Sequence, residues 1–553
     1  MLAKVSEKRM HTIRWVLAIA WLLLIFSLFY DPITHYLTNP DNFLSPFRDS
    51  LPQVLVQGKP LDEKPYPIGA RVFWGMVIPS AIMIVLVFGH ETWRRICPLY
   101  FLSQIPRALG LKPRLDVNKN TWLTRNHFYL QFGLFFIGIN FRILFVNSAR
   151  LALGFFLLSA IATSITVIFL YGGRSWCHYV CPFGVVQTVF TGPRGLLGSN
   201  ATETPAPSIP QSMCRTVDTV KNQEKSACIG CKSACMDIDS EKSYWNDLDK
   251  PGRRFVQYGY LGLVIGYFLY YWLYAGNLDY YFSGAWTHEE NQLSTLWNPG
   301  FYLFNQPINI PKIIAAPLTL AICAGLSNWI LSKVEKTYRG YLKRRNPNIN
   351  SQQVFHRMLT ICTFLAFNSF FIYGGRPELL RLPQPAQLLF NALVVIVSTI
   401  WLVRTWGRSF EKYQRESLAA SFRSKLSKIS VDISQFLKGR SLKDLSSEEL
   451  FTLDSVLQNF QKTDRLQTYK SILQEGLTLD NFTSADSLEV LQEIRSHLGL
   501  SEEEHYKVLS EISSEQSFLL YANQNSNPHS TNRKQFPETK LGATRLRKNP
   551  KNV

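Results

Sequence analysis

Residues 151–184 read LALGFFLLSAIATSITVIFLYGGRSWCHYVCPFG. The stretch 151–171 holds no Asp, Glu, Lys or Arg. At about 1.5 Å of rise per residue, a helix of that length crosses the ~30 Å hydrocarbon layer of a bilayer. Gly172 and Gly173 interrupt it, and Cys177 and Cys181 follow, the second with Pro182 behind it. A membrane-crossing helix that delivers thiols at its end is the element from which the rest of the chain is read.

Working outward, similar stretches recur at about 13–30, 68–89, 127–146, 255–275, 309–331, 358–374 and 386–404. With 151–171 they predict a mainly α, polytopic membrane protein of about eight spans. Any one stretch alone could be a buried soluble helix. Eight in succession, joined by charged connectors, argue against a soluble fold. The mean hydropathy near zero hides this pattern, because it averages an apolar part with a polar part that begins near Gly407. The first span follows Lys4, Lys8 and Arg9, as a signal peptide would, but its apolar run is too long and no small-residue cleavage site follows Asp31. It is expected to remain as a span.

The chain of 553 residues carries a formal charge of +19. Its distribution points to topology rather than to nucleic acid. The connector after the second span holds Arg94, Arg95, Arg107, Lys112, Arg114, Lys119 and Arg125, and the one after the sixth holds Lys333, Lys336, Arg339 and Lys343 to Arg345. The connector 276–308 holds no Lys or Arg. The positive-inside rule then places both termini and the loops after spans two, four, six and eight in the cytoplasm, with the spans in the cell's inner membrane. The run Lys343-Arg344-Arg345 suits anionic membrane lipid.

Nine cysteines are present. Cys323 and Cys362 fall inside spans and read as packing residues. Cys97, Cys177, Cys181, Cys214, Cys228, Cys231 and Cys235 fall in the loops after spans two and four. Clustered thiols on a reducing side point to metal or redox chemistry rather than to disulfides. Cys228, Cys231 and Cys235 with Cys214 upstream make a four-thiolate set for a [4Fe-4S] cluster, and Gly230 is expected to relieve crowding between ligands. A structural zinc site accepts the same donors, although a zinc ribbon usually shows two Cys-x-x-Cys knuckles and only one is present.

The cysteine motif is repeated. FGHETWRRICPL surrounds Cys97 and YGGRSWCHYVCPF surrounds Cys181. Each follows a span, contains Cys-Pro and runs on to Pro-Arg (Pro106-Arg107 and Pro193-Arg194). Spans one and two therefore look duplicated as spans three and four. A Pro after a ligand Cys stops the helix and exposes the thiolate.

Cys-x-x-x-Cys-Pro at a helix end, followed by a ferredoxin-like cysteine group, resembles the polytopic membrane ferredoxins of the NapH and NosR type over roughly residues 70–255. The resemblance implies [4Fe-4S] clusters and electron transfer between a quinone pool and a partner redox protein, in the manner of a quinol dehydrogenase subunit. It implies cluster ligation by Cys97, Cys177, Cys181, Cys228, Cys231 and Cys235; Cys214 is added from spacing alone. Two departures stand out: Trp93 occupies the first Cys slot of the first motif, and Ala234 occupies a Cys slot before Cys235. Seven thiolates complete one cluster and leave a second short of a ligand. His178 is the nearest candidate to fill that gap, against a plainer reading as a solvent-facing neighbour. The flavin-carrying outer domain of NosR-type proteins has no counterpart here.

His90 and His127 read as interfacial rather than haem-binding residues, and Arg142 as a snorkelling cation. The aromatic connector 276–308 reads as a membrane-interface belt, with a quinone pocket served by His288, Glu289 and Glu290 as its sharper alternative. The Tyr373-Gly374-Gly375-Arg376 echo of Tyr171 to Arg174 is treated as helix-end chemistry. The expected organisation is 1–171 as duplicated two-span repeats, 172–254 as a cytoplasmic Cys-rich ferredoxin-like insert, 255–406 as four further spans, 407–521 as a C-terminal soluble helical domain and 522–553 as a disordered basic tail. Ser501 followed by three glutamates reads as a helix start. Three functions remain open at this level: an iron–sulfur electron-transfer protein, a zinc-bearing scaffold, and a redox sensor signalling through the helical tail.

Overall fold

The computed structural model describes residues 5–39, 54–61, 65–198, 228–232, 235–289, 292–345, 349–426 and 500–525, with short pieces between them. They divide into two compact units, one of 1–432 with 440–447, the other of 433–439 with 448–553. Among the described residues, seven helical segments are long and apolar enough to cross a membrane: Glu7–Phe29, Ile68–Ser103, Thr121–Val146, Arg150–Tyr171, Lys312–Arg345, Ser351–Gly374 and Gln384–Trp406. The chain is thus a polytopic helical protein with little sheet, as its hydropathy pattern predicts.

The stretch expected as the fifth span forms a helix of the right length, Arg253–Ala275, but is not among these seven. Its tyrosines lower its hydropathy, and it is buried along most of its circumference. It occupies the middle of the bundle, with Ile265, Leu269 and Trp272 left exposed along one stripe. Gly262 and Gly266 stand at the GxxxG spacing at which helices pack closely in membranes. A Cβ on Gly262 would lie 2.7 Å from Ala324 Cα, and one on Gly266 would lie 2.8 Å from Cys323 Cβ. The helix Lys312–Arg345 is therefore drawn against backbone, with Cys323 as filler at the seam. Cys362 is likewise buried inside its helix. Both agree with a packing role.

Side-chain caps start the helices that frame the cysteine loops. Asn120 accepts from Leu123 N at 3.0 Å, and Asp239 accepts from Lys242 N at 2.9 Å. The connector 276–308 splits in two. Tyr280, Tyr281, Trp286 and His288 turn into the core, whereas Trp297 and Phe304 stay exposed, Phe304 at the tip of a hairpin pairing Pro299–Leu303 with Gln306–Pro311. Arg142 does not snorkel. It starts a π turn, donates to Asn147 Oδ1 at 3.3 Å and lies 4.4 Å over the Trp74 ring.

In the second unit, the expected helix start at Ser501 is present, and Ser501 and Glu504 form a reciprocal cap on Glu502–Asn525. Glu504 N donates to Ser501 Oγ at 3.3 Å, and Ser501 N donates to Glu504 Oε2 at 2.9 Å. The tail 526–553 and Cys214 lie outside the described residues.

Candidate metal centre

We label the five helices that build the site: α1 is Ile78–Ile96, α2 Pro98–Ser103, α3 Arg150–Tyr171, α4 Phe183–Thr191 and α5 Ser240–Asp247. The two cysteine motifs share their local backbone geometry. Helix α1 breaks at Gly89 (φ 79, ψ 166) and α3 at Gly172 (φ 68, ψ −172), the same left-handed conformation, which glycine adopts without penalty. Cys97 (φ −58, ψ 117) and Cys181 (φ −52, ψ 121) also match. Gly374 and Gly375 have no positive φ, so the later echo is indeed only a helix end.

The two motifs differ by one residue between glycine and Cys-Pro. The second takes it up in a π turn, Trp176–Val180, so that Cys181 N donates to Trp176 O across five positions, where Cys97 N donates to Trp93 O across four. Counted from the glycine, Trp93 matches Trp176. Counted from Cys-Pro, it matches Cys177. The inserted turn is what supplies the additional thiol.

The two halves cross. Leu196 N and Leu197 N, from the second half, donate to Leu86 O and Val87 O of the first at 2.9 and 2.5 Å. Arg114 N and Leu115 N, from the first, both donate to Leu170 O of the second at 3.0 and 2.8 Å. The short helix after each Cys-Pro packs on the other half's span, α2 on α3 and α4 on α1. This exchange brings Cys97, Cys177 and Cys181 into one buried cluster with Tyr100, Ile168 and Trp176. Burial and the neighbouring Cys177 and Cys97 push the Cys181 thiol well above its ordinary range. Thiolates stable in such surroundings need a cation between them.

The second cysteine group lies on the Tyr179 side of the same turn. Cys231 is buried with Val117, Leu123 and Tyr179, and Tyr179 Oη donates to its carbonyl at 2.9 Å. Its loop rests on the double glycine: a Cβ at Gly173 would lie 2.9 Å from Ile229 Cγ1 and 3.2 Å from Cys231 Cβ. Cys228 is exposed, and Gly230 N donates to its Sγ at 3.5 Å. Gly230 has φ 64 and open space around a notional Cβ, so its role is the left-handed turn and not relief of crowding. Lys232 pairs with Asp247 at 3.0 Å, fastening the loop to α5.

Between the two groups sits a buried ionic knot that the sequence gives little hint of. Asp237 Oδ2 lies 3.3 Å from Arg94 Nη1, 3.6 Å from Arg174 Nε and 3.6 Å from His178 Nε2. Arg94 also donates to Gln187 Oε1 at 2.8 Å and to Cys177 O at 3.2 Å, and Arg174 stacks 3.8 Å over the Tyr100 ring. Burial alone would raise the Asp237 pKa, but the two guanidiniums hold it well below the carboxylate range. His178 is therefore not solvent-facing; it is buried, 3.9 Å from Cys235 Sγ. One ligand atom each from His178, Cys235 and Asp237 lies within 4.8 Å of the others. His90 and His127 are buried inside the protein too, so their side chains do not snorkel outward. His90 Nε2 bonds Met236 O at 2.7 Å, and His127 Nδ1 bonds Thr124 O at 3.0 Å. His127 Nε2 has no partner among the described residues, and a cavity of ≈ 10 Å³, the room one water needs, lies beside it between Arg94, Gln131 and Lys232.

Two loops of thiols thus converge on one helix turn, with buried cations behind them. Residues 153–200 match the family model of a 4Fe-4S binding domain. That match takes in Cys177 and Cys181 but not the loop 228–235. Comparisons with curated proteins and with solved structures give no match. The donor set fits an iron–sulfur cluster: Cys97, Cys177 and Cys181 belong to one packed cluster, and the buried Arg94, Arg174 and Lys232 nearby carry positive charge that an anionic thiolate-bound cluster would balance.

Proposed function

We propose that this protein is a membrane iron–sulfur electron-transfer protein that exchanges electrons between a quinone pool or a soluble donor and a partner redox protein, in the manner of the NapH-type quinol dehydrogenase subunits. The observation that carries this reading is the crossed repeat, which gathers Cys97, Cys177 and Cys181 from two spans into one buried cluster within and beside the 4Fe-4S binding domain. Cys228, Cys231 and Cys235, with Cys214, are assigned to a second centre. The cytoplasmic placement of the loops and termini follows from the charge pattern. A bound cluster would supply one-electron chemistry. The protein's own part is to hold the thiols, exclude water from Cys177 and Cys181, and fix the charges around them.

One further observation favours a sensing role alongside transfer. Helix α5, which follows Cys235, is tied to Phe410–Leu426, the helix that continues from the last span. Arg408 Nη2 pairs with Glu241 at 2.9 Å, and Tyr413 Oη donates to Asp239 Oδ2 at 2.6 Å.

Anaerobic purification, iron and sulfide analysis, and EPR of the dithionite-reduced protein test the proposal. Iron and acid-labile sulfide in equal amounts, with a reduced-state signal, support it. A colourless protein holding zinc and no iron refutes it. Cys177→Ser should lower the iron content, and Cys323→Ser should leave it unchanged; equal losses would undo the sorting of the cysteines.

A further inference from the structure

We propose that His178 is not a metal ligand but the N–H donor to the Cys235 sulfur, held in that state by Arg94, and that it sets the redox potential of the centre to which Cys235 belongs. The inference rests on the iron–sulfur reading of Cys235 given above.

The argument turns on which ring nitrogen carries the proton. His178 Nδ1 lies 3.2 Å from Arg94 Nη1. A guanidinium only donates, so Nδ1 must accept, and the proton of the neutral ring sits on Nε2. Arg94 cannot easily turn away, because Gln187, the Cys177 carbonyl and Asp237 hold the rest of its fork. Turning the ring over would set a carbon against the guanidinium and lose that bond. Nε2 faces Cys235 Sγ at 3.9 Å and Asp237 Oδ2 at 3.6 Å. For Nε2 to bind a metal it would have to give up this proton while Arg94 kept the other nitrogen, leaving an imidazolate. Asp237 is committed in the same way, between Arg94 and Arg174. Of the three groups that converge here, the sulfur is the one that neither guanidinium contacts in an ion pair. An N–H aimed at a ligand sulfur stabilises the reduced, more negative form and so raises the potential.

The test compares the anaerobically purified full chain with His178→Phe and His178→Gln, reading iron content, the midpoint from an EPR-monitored redox titration, and nitrogen coupling by pulsed EPR. Both variants should keep the wild-type iron content. The midpoint should fall in His178→Phe and stay closer to wild type in His178→Gln, whose amide still offers an N–H. Iron loss in both variants, or nitrogen coupling of ligand strength in the wild type, would make His178 a ligand and overturn the proposal. An unchanged midpoint in His178→Phe would overturn it as well. Should His178→Phe fail to accumulate, His178→Gln decides: retained iron with a near-native midpoint supports the donor role, and lost iron overturns it. A wild-type protein without iron would refute the iron–sulfur reading itself, and this inference with it.

Discussion

Gly195→Ala tests the crossing of the two halves. A Cβ at Gly195 would fall on Gly89 N, 2.7 Å from Gly89 Cα and 2.8 Å from Phe88 C, where ordinary contacts begin at 3.4 Å. All three atoms are backbone, so no side chain can swing aside, and the two segments must part by several tenths of an ångström. Overpacking of this kind costs about 1–3 kcal/mol. The contact is bracketed by the Leu196 N–Leu86 O and Leu197 N–Val87 O hydrogen bonds, which lengthen together, and each contributes roughly 0.5–1.5 kcal/mol. The total is about 3 kcal/mol, on the order of a hundredfold in the ratio of closed to opened crossings. Thermal unfolding in detergent and the iron-to-protein ratio should both fall. Gly133→Ala is the control: a Cβ there meets nothing within 4 Å inside a regular helix, so it should be neutral or stabilising by up to about 1 kcal/mol. Indistinguishable unfolding and iron content in the two variants would refute the claim that the halves are locked at Gly89 and Gly195.

Asp237→Asn leaves Arg94 and Arg174 facing each other without a carboxylate and should cost ~3–5 kcal/mol in a chemical-denaturation series; a loss near zero would mean that another anion balances them. The Asp247 pairing predicts a pH window for loop docking. Burial pushes the Asp247 pKa up, but Lys232 and Lys250 outweigh it and bring it from the ordinary 3.8 to about 2. A carboxylate depressed by folding stabilises above its unfolded pKa and stops doing so as the pH falls through the folded one. Hydrogen exchange at residues 228–232, corrected for its intrinsic pH dependence, should therefore stay flat above about pH 4 and rise as the pH falls towards 2. Asp247→Asn should show the raised exchange at neutral pH. In the second unit, Ser501→Ala should cost about 1 kcal/mol of helix stability, read by circular dichroism, through loss of the reciprocal cap.

Hydropathy alone located the helices, because length and the absence of charge are local properties. It does not say which helix lies at the centre of the bundle. The tyrosine-rich stretch 255–275 reads as one more span; that it is the central element is signalled in the sequence by the GxxxG spacing of Gly262 and Gly266. The cysteine repeat was legible from Cys-Pro and Pro-Arg. Its one-residue offset was visible too, but only the left-handed φ at Gly89 and Gly172 shows that the offset is a π turn that brings in Cys177. His178 was misread because its surroundings come from afar: Arg94 lies 84 positions away in sequence. Nothing local to Ser-Trp-Cys-His-Tyr reports that a guanidinium and a carboxylate will close over the imidazole. Cys214 stays an expectation from spacing.

The crossing also dictates an order of birth. Leu86, Val87 and Gly89 emerge from the ribosome about a hundred residues before Gly195, Leu196 and Leu197, the partners that close over them. Until those arrive, the end of the second span keeps open carbonyls and Cys97 has no sulfur beside it. Helix insertion can proceed hairpin by hairpin, but the thiol nest comes into being only when the fourth span and its return loop have docked. The contact that locks the two halves is therefore the last part of this region to be made.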